Sequence, residues 1–382
     1  MHVALVHIKH AASGGVEAYL TNLARYLAAA GHQVTIICQT HAELPHPAVR
    51  FVVLRPFTLG GAWKMWAFAR AVERHIATTA YDVVYGLGKT WTHDVVRLGG
   101  GCHQTYLDFA GDAERRFLHP PGGGWLKNRT ALAIEHRALS PGNFRRVVAN
   151  SQMVKDDVCA RHQVPADLVT VIHNGVDGGR FHLGHRAGEG LALRAACGFT
   201  ADHQVVVFLG SGYARKGLDL VLDAFPALCA QRTGARLLVV GYDSARARYE
   251  ARARKLGLAG VSCFLGGRRD VHACYAAGDL YVLPTRYDPF ANSTLEALAS
   301  GLPVITSDAN GGAEVIDRGE TGAVLPRSAT VEQLAAAMIT WTDPTRLVVA
   351  RGKARATAER HTLDGKMVEA LTMLQQLARD RR

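Results

Sequence analysis

The chain has 382 residues, 48% hydrophobic and 20% charged, with a formal net charge of +11. That length exceeds one comfortable core and suits two domains of roughly 150 to 200 residues each. The mixed composition excludes a disordered, collagen-like or short-period repeat protein, and the positive excess calls for phosphate among the partners: a nucleotide diphosphate, an anionic membrane face or nucleic acid.

The opening MHVALVHIKH carries an apolar run too short for a signal peptide, and no stretch reaches the roughly 18 apolar residues of a membrane-spanning helix, so a cytoplasmic location is expected. Cys38, Cys102, Cys159, Cys197, Cys229, Cys263 and Cys274 are dispersed without CxxC or Cys/His metal spacing, and read as reduced packing residues. Along the chain, short β-branched runs alternate with helical stretches, the pattern of doubly wound parallel α/β sheets. Strands are predicted over 2–8, 33–39, 50–54, 82–85, 95–98, 146–149 and 169–172, then over 204–209, 236–241, 261–265, 280–284 and 303–306. Residues 174–190, NGVDGGRFHLGHRAGEG, are rich in glycine and charge and read as the linker. The expected division is a Rossmann-like domain over 1–175, a second over 176–360, and a terminal helix over 361–382 packing back on the first. Ligands of such sheets bind beyond the carboxyl ends of the strands, so the two domains are expected to face each other across a cleft.

The motifs fall just after predicted strands. Ser13-Gly14-Gly15-Val16-Glu17 opens the first helix; its paired glycines either make a tight turn or expose backbone N–H groups to a diphosphate at the positive end of the helix dipole. It is not GxGxxG, and the second strand ends at Gln39 without the acid that would hold a nicotinamide cofactor's ribose. Gly210-Ser211-Gly212-Tyr213-Ala214-Arg215-Lys216-Gly217 approaches a phosphate loop, but Arg215 replaces the loop glycine and Gly217 the magnesium-binding hydroxyl. What remains is two cations at a strand's carboxyl end, either a solvated basic turn or a metal-free grip on a diphosphate. Asp288 and Glu296 are separated by seven residues across a loop and a helix start. They are either sugar-hydroxyl acceptors along one ligand or an acid that complements the helix dipole and a surface glutamate. The amides of Phe290, Ala291, Asn292 and Ser293 would cap that helix and face a phosphate or hexose. His103 follows Gly99-Gly100-Gly101-Cys102, where three glycines allow close backbone approach, and imidazole titrates near neutrality.

Asp288 to Glu296 with the following EALASGLPVI resembles the E-x7-E signature of glycosyltransferase family 4, retaining enzymes of the GT-B fold. GGVE, VIHNGVD, GSGYARKGLD, GGRRDV and the acidic pair follow in the family's order over nearly the whole chain, with His173 where a proline is usual and Asp288 where a glutamate is usual. The resemblance implies that Glu296 binds donor ribose hydroxyls and Asp288 the hexose. It further implies that Arg215 and Lys216 hold the diphosphate with backbone help from Gly14 and Gly15, and that the turn Arg268 to Val271, with Asp270, faces the base. His103 stands where many members keep a histidine near the reacting sugar. The implied reaction moves a hexose, glucose from UDP-glucose by analogy, to a lipopolysaccharide core or related surface glycolipid, with retention and with neither metal nor cofactor. A nucleotide-sugar epimerase of the same architecture is the alternative; no nucleic-acid recognition motif is present. Tyr106, Leu107, Phe109, Phe117, Leu118, Trp125 and Leu126 are interleaved with Arg115, Arg116, Lys127, Arg129, Arg137, Arg145 and Arg146. That mixture suits an anionic inner-membrane surface, with Pro120 to Gly124 breaking the helix into a mobile acceptor flap.

Overall fold

The computed structural model describes residues 1–11, 14–42, 45–57, 60–109 and 124–380. They divide into two compact units, Met1–Asn174 with Asp364–Arg382, and Gly175–Leu363. In the first, β1 (His2–Val6), β2 (Gln33–Cys38), β3 (Val49–Val53), β4 (Val83–Gly86), β5 (Val95–Leu98), β6 (Arg146–Ala149) and β7 (Val169–Val171) form a parallel sheet in the order β3-β2-β1-β4-β5-β6-β7. In the second, β8 (Gln204–Leu209), β9 (Ala235–Val240), β10 (Ser262–Gly266), β11 (Leu280–Leu283), β12 (Val304–Ser307) and β13 (Gly322–Leu325) pair in parallel as β10-β9-β8-β11-β12-β13.

The sequence dictates this winding through its central strands. Val3 to Val6, Val205 to Phe208 and Leu280 to Leu283 are fully buried runs, as a parallel sheet covered by helices on both faces requires. Each chain path leaves its first strand in one direction and returns on the other side. The loops therefore diverge between β1 and β4, and between β8 and β11, leaving a crevice at the carboxyl ends of those strands.

Two features depart from the sequence reading. The strand β13 was not predicted: it is four residues long and only half-buried beyond Gly322, so it lacks the apolar run that marks the others. The stretch 174–190 is folded rather than a loose linker, because its apolar and charged residues have partners within the second unit. Val176 and Phe181 enter that unit's core, Leu183–His185 forms a 3-10 turn, and Arg186–Gly190 forms a π-helical turn. At the C-terminus, the helix Leu363–Arg379 is grouped with the first unit, where the Arg145 guanidinium donates to the Leu377 carbonyl at 2.8 Å.

A buried acid organises the edge of the second unit. Asp279, immediately before β11, accepts from Arg186, from Arg194 at 2.6 Å, from Arg351 at 3.0 Å and from the Val205 amide at 2.8 Å. Arg194 is itself only 2% exposed. Removing the acid would strand buried guanidinium charge, so Asp279→Ala should destabilise this unit by about 3–5 kcal/mol, read as a lowered urea midpoint.

Candidate active site

In the second unit, the crevice between β8 and β11 is built by the two loops that follow those strands. After β8 the chain makes a single helical turn, Tyr213–Lys216, and Gly217 then begins the helix Leu218–Gln231. Gly217 has φ +80°, and a β-carbon there would lie 2.2 Å from the Pro284 carbonyl, so glycine lets the two loops touch. Their contact is cross-linked by backbone: the Arg286 amide donates to the Arg215 carbonyl at 2.8 Å, and the Thr285 hydroxyl to the same oxygen at 3.0 Å.

That contact brings together three of the predicted residues. The Lys216 ammonium is hydrogen-bonded to Asp288 Oδ2, and the Arg215 guanidinium reaches the same oxygen at 3.4 Å and the Tyr287 carbonyl at 2.9 Å. Lys216 and Asp288 are each 8% exposed. Burial pushes the Asp288 carboxyl up, but Lys216 and then Arg215 outweigh it and hold the group below its ordinary value. Two cations and a carboxylate thus meet at the carboxyl end of a parallel sheet.

Behind it, the strand-end residue Asn310 fixes the loop. Its Oδ1 accepts from the Ala291 amide at 3.1 Å and the Gly312 amide at 2.9 Å, and its Nδ2 donates to Thr294 and Thr306, each at 3.0 Å. The Phe290 amide donates to Asp288 Oδ1 at 3.2 Å. The expectation that all four amides from Phe290 to Ser293 face a ligand is thus corrected: Phe290 and Ala291 are buried and their N–H groups are satisfied internally, as buried donors must be. Asn292 and Ser293 are half-buried at the start of the helix Asn292–Ala299. One turn on, Glu296 accepts from the Tyr275 hydroxyl at 2.8 Å; burial raises its carboxyl above the ordinary value, against the pull of Tyr275 and Arg180. Beyond β10, Arg268 and Asp270 are forked together, one bond at 2.9 Å, with Val271 opening the next helix. The turn's carbonyls are also engaged: Arg269 accepts from the Arg180 guanidinium at 3.1 Å and Asp270 from the Ala273 amide at 3.0 Å.

The first unit carries Gly14, Gly15 and His103. Gly15 begins the helix Gly15–Ala29, and the Glu17 carboxylate lies over Gly14. His103 begins the helix His103–Phe109; its amide donates to both Glu135 oxygens at 3.1 and 3.0 Å, and its Nε2 pairs with Asn128 Oδ1 at 3.1 Å. Burial, then the Lys89 charge, lower its imidazole below the ordinary value, so the ring is neutral at pH 7. A cavity of about 170 Å³ lies at the ends of β4 and β5, lined by His7, Val16, Lys89, Arg97 and Glu135 among others.

Two family models match the chain, glycosyltransferase family 4 over residues 13–180 and glycosyl transferases group 1 over 192–354. The chain is a glycosyltransferase of the GT-B fold. It is 28% identical over 317 residues to an uncharacterised glycosyltransferase of Methanocaldococcus jannaschii, covering 79% of each. It is 25% identical over 335 residues to the lipopolysaccharide glucosyltransferase WaaG of Escherichia coli K12, covering 87% of each. The crystal structure of WaaG superposes with a TM-score of 0.79 at 23% identity, over 97% of this chain and 99% of that one. The Anabaena protein HepE, solved with UDP and glucose, superposes with a TM-score of 0.72 at 20% identity, over 98% and 99%.

Sequence reasoning missed several residues of the glycosyltransferase that the fold brings to these crevices. Lys89 lines the first unit's cavity with φ +66°, a conformation rare outside glycine and concentrated at functional sites. Its signal was topological, since Gly86-Leu87-Gly88-Lys89 ends β4 at the switch point. Asn310 and Tyr275 carry no local pattern at all. In the predicted membrane face, Arg115, Arg116, Phe117, Leu118 and the break at 120–123 lie outside the described residues. Arg137, Arg145 and Arg146 are engaged within the unit, with Glu73 at 2.8 Å, the Leu377 carbonyl and the Asp167 carbonyl.

Glu296 yields a pH prediction. Its native carboxyl titrates above the unfolded value of 4.5, so the stability it contributes is full below that pH and is lost as pH rises through the native value. Glu296→Gln should therefore melt at a higher temperature than the native chain at pH 7, with the difference closing below the unfolded value; an unchanged gap across that range would contradict the assignment.

Proposed function

We propose that this glycosyltransferase moves glucose from UDP-glucose to a sugar of a lipopolysaccharide core or related surface glycolipid, with retention at the anomeric carbon. The observation that carries the reading is the Arg215–Lys216–Asp288 cluster at the second sheet's switch point, where two cations and a carboxylate converge beyond the strand ends. Choice of donor is supported by HepE, solved with UDP and glucose, and choice of acceptor by WaaG.

In this reading Arg215 and Lys216 bind the pyrophosphate, and no metal is called for. Asp288 Oδ1 accepts from the Phe290 amide, and a carboxylate oxygen can accept from a hexose hydroxyl as well. Glu296 takes ribose hydroxyls, its burial cost being the kind that a binding site repays on filling. The turn Arg268 to Val271, with Asp270, meets the uracil through its backbone. His103, neutral and braced by Asn128, positions substrate on the first unit. On the front face of the sugar, the bond from C1 to the phosphate oxygen breaks as the bond to the acceptor oxygen forms. The departing phosphate takes the acceptor's proton, and the two cations stabilise the charge that develops on it.

Lys216→Ala should lower turnover at least about tenfold, the loss expected for one charge-stabilising contact; near-native turnover would refute the role. Proton NMR of the product glucoside should show the α-anomeric coupling, and a β product would overturn retention.

We further place the acceptor side against an anionic inner-membrane surface. Trp125 and Leu126 are 59% and 57% exposed, Arg129 stacks on Trp125 at 4.5 Å, and the adjacent helix Gly60–Thr78 adds exposed Trp63 and Trp66. No helix among the described residues is long and apolar enough to cross a membrane, so attachment would be at the interface. Vesicles containing anionic lipid should sediment the native chain, and the double variant Trp63→Ala, Trp125→Ala should remain in the supernatant; equal sedimentation of the two would contradict this placement.

A further inference from the structure

We propose that His185, Glu189 and His272 form a binding site for a late first-row divalent cation, zinc being the natural probe. The site lies on the second unit and shares no residue with the Arg215–Lys216–Asp288 cluster.

One ligand atom from each residue lies within 4.8 Å of the others. His272 Nε2 is 2.7 Å from Glu189 Oε2, His185 Nδ1 is 3.5 Å from Glu189 Oε1, and the two imidazole centroids are 4.9 Å apart. Donors bound tetrahedrally to zinc sit about 3.3 Å from one another, so the observed separations bracket what the ion needs and modest side-chain rotation meets it. Two neutral imidazoles with one carboxylate favour zinc, nickel, cobalt or copper over magnesium and calcium, which take oxygen donors. Three protein ligands would leave a fourth position open to water at the surface.

The scaffold fixes the elements that carry the donors. His185 and Glu189 are four residues apart across the π-helical turn Arg186–Gly190, a rare geometry that is frequent at functional sites. The turn is anchored by Arg186, which donates to the Gly278 carbonyl at 2.5 Å and pairs with Asp279. His272 projects from the helix Val271–Ala276, and the two elements meet at their backbones: a β-carbon on Gly190 would lie 2.5 Å from the Ala276 carbonyl oxygen. His182 stacks on His185 at 4.0 Å, and its Nδ1 accepts from the Gly184 amide at 3.1 Å, which steadies the His185 ring. Donors set on elements locked by other contacts are what a preorganised metal site requires.

A second grouping, Cys102 with Glu135 and His162, is a poorer host. Both Glu135 oxygens accept from the His103 amide, and burial, followed by the Asp157 charge, pushes the Cys102 thiol up, away from the thiolate that binds metal.

The test is calorimetric titration of zinc chloride into the full chain after chelator treatment at neutral pH. One equivalent should bind the Glu189 site, magnesium in excess should not compete, and His185→Ala and His272→Ala should each weaken binding at least about tenfold. Zinc should also raise the melting temperature of the native chain and not that of His272→Ala. Should an alanine variant fail to fold, Glu189→Gln alters only a half-exposed side chain and must show the same loss. The proposal is overturned if zinc neither binds nor shifts the melting temperature, if binding survives these substitutions, or if it is abolished by His162→Ala instead.

Discussion

A single carboxylate, Asp288, closes the loop after β11 onto the loop after β8. The lysine and arginine that it holds would otherwise be two like charges in adjoining positions, one of them nearly buried; the acid offsets their repulsion and fixes their direction. Because Asp288 Oδ1 also receives the Phe290 amide, the same side chain shapes the start of the helix that carries Glu296. Asn310 braces that region from the neighbouring strand end, satisfying Ala291 and Gly312 and meeting two threonines. Charge, loop geometry and helix entry are thus one coupled arrangement, the kind of support that holds a reacting group in place before substrate arrives.

The abundance of arginine is only partly an invitation to anions. Arg186, Arg194 and Arg351 converge on Asp279, Arg286 serves Asp219 at 2.5 Å and the Ala214 carbonyl, and Arg355 donates to the Phe181 carbonyl at 2.8 Å. Guanidinium's fork of donors lets one residue satisfy several carbonyls at once, and much of the net charge therefore stitches loops together. In the proposed reading, the exposed cations around Trp125, together with Lys216 and Arg215 in their crevice, are the ones that meet phosphate.

Twelve strands were legible because each buried strand is a short β-branched run, and their order follows once alternating helices demand parallel crossovers. The strand β13 escaped because an edge strand of four residues needs no such run. The segment 174–190 was misjudged for a different reason: glycine and charge usually signal a loop, but its arginine answers a buried acid more than ninety positions away, and Gly190 is there for close approach to Ala276. At the candidate site, spacing and family order single out Arg215, Lys216 and Asp288, which the fold brings into contact. Lys89 and Asn310 were not legible, since their positions depend on which strands become neighbours. The amides of Phe290 and Ala291 were over-read because nothing local to them reveals that Asp288 and Asn310 take their protons.

The first unit is discontinuous in sequence: its sheet is complete by β7, yet Met367, Ala370, Leu374 and Leu377 of the last helix are buried in it. During synthesis, the whole second unit emerges from the ribosome before that helix can dock. The nascent first sheet must wait with a greasy seam uncovered, while the Gly175–Leu363 unit, contiguous in the chain, is free to fold at once. The first unit is therefore completed only after the second has been made, when the helix Leu363–Arg379 docks on strands from much earlier in the chain.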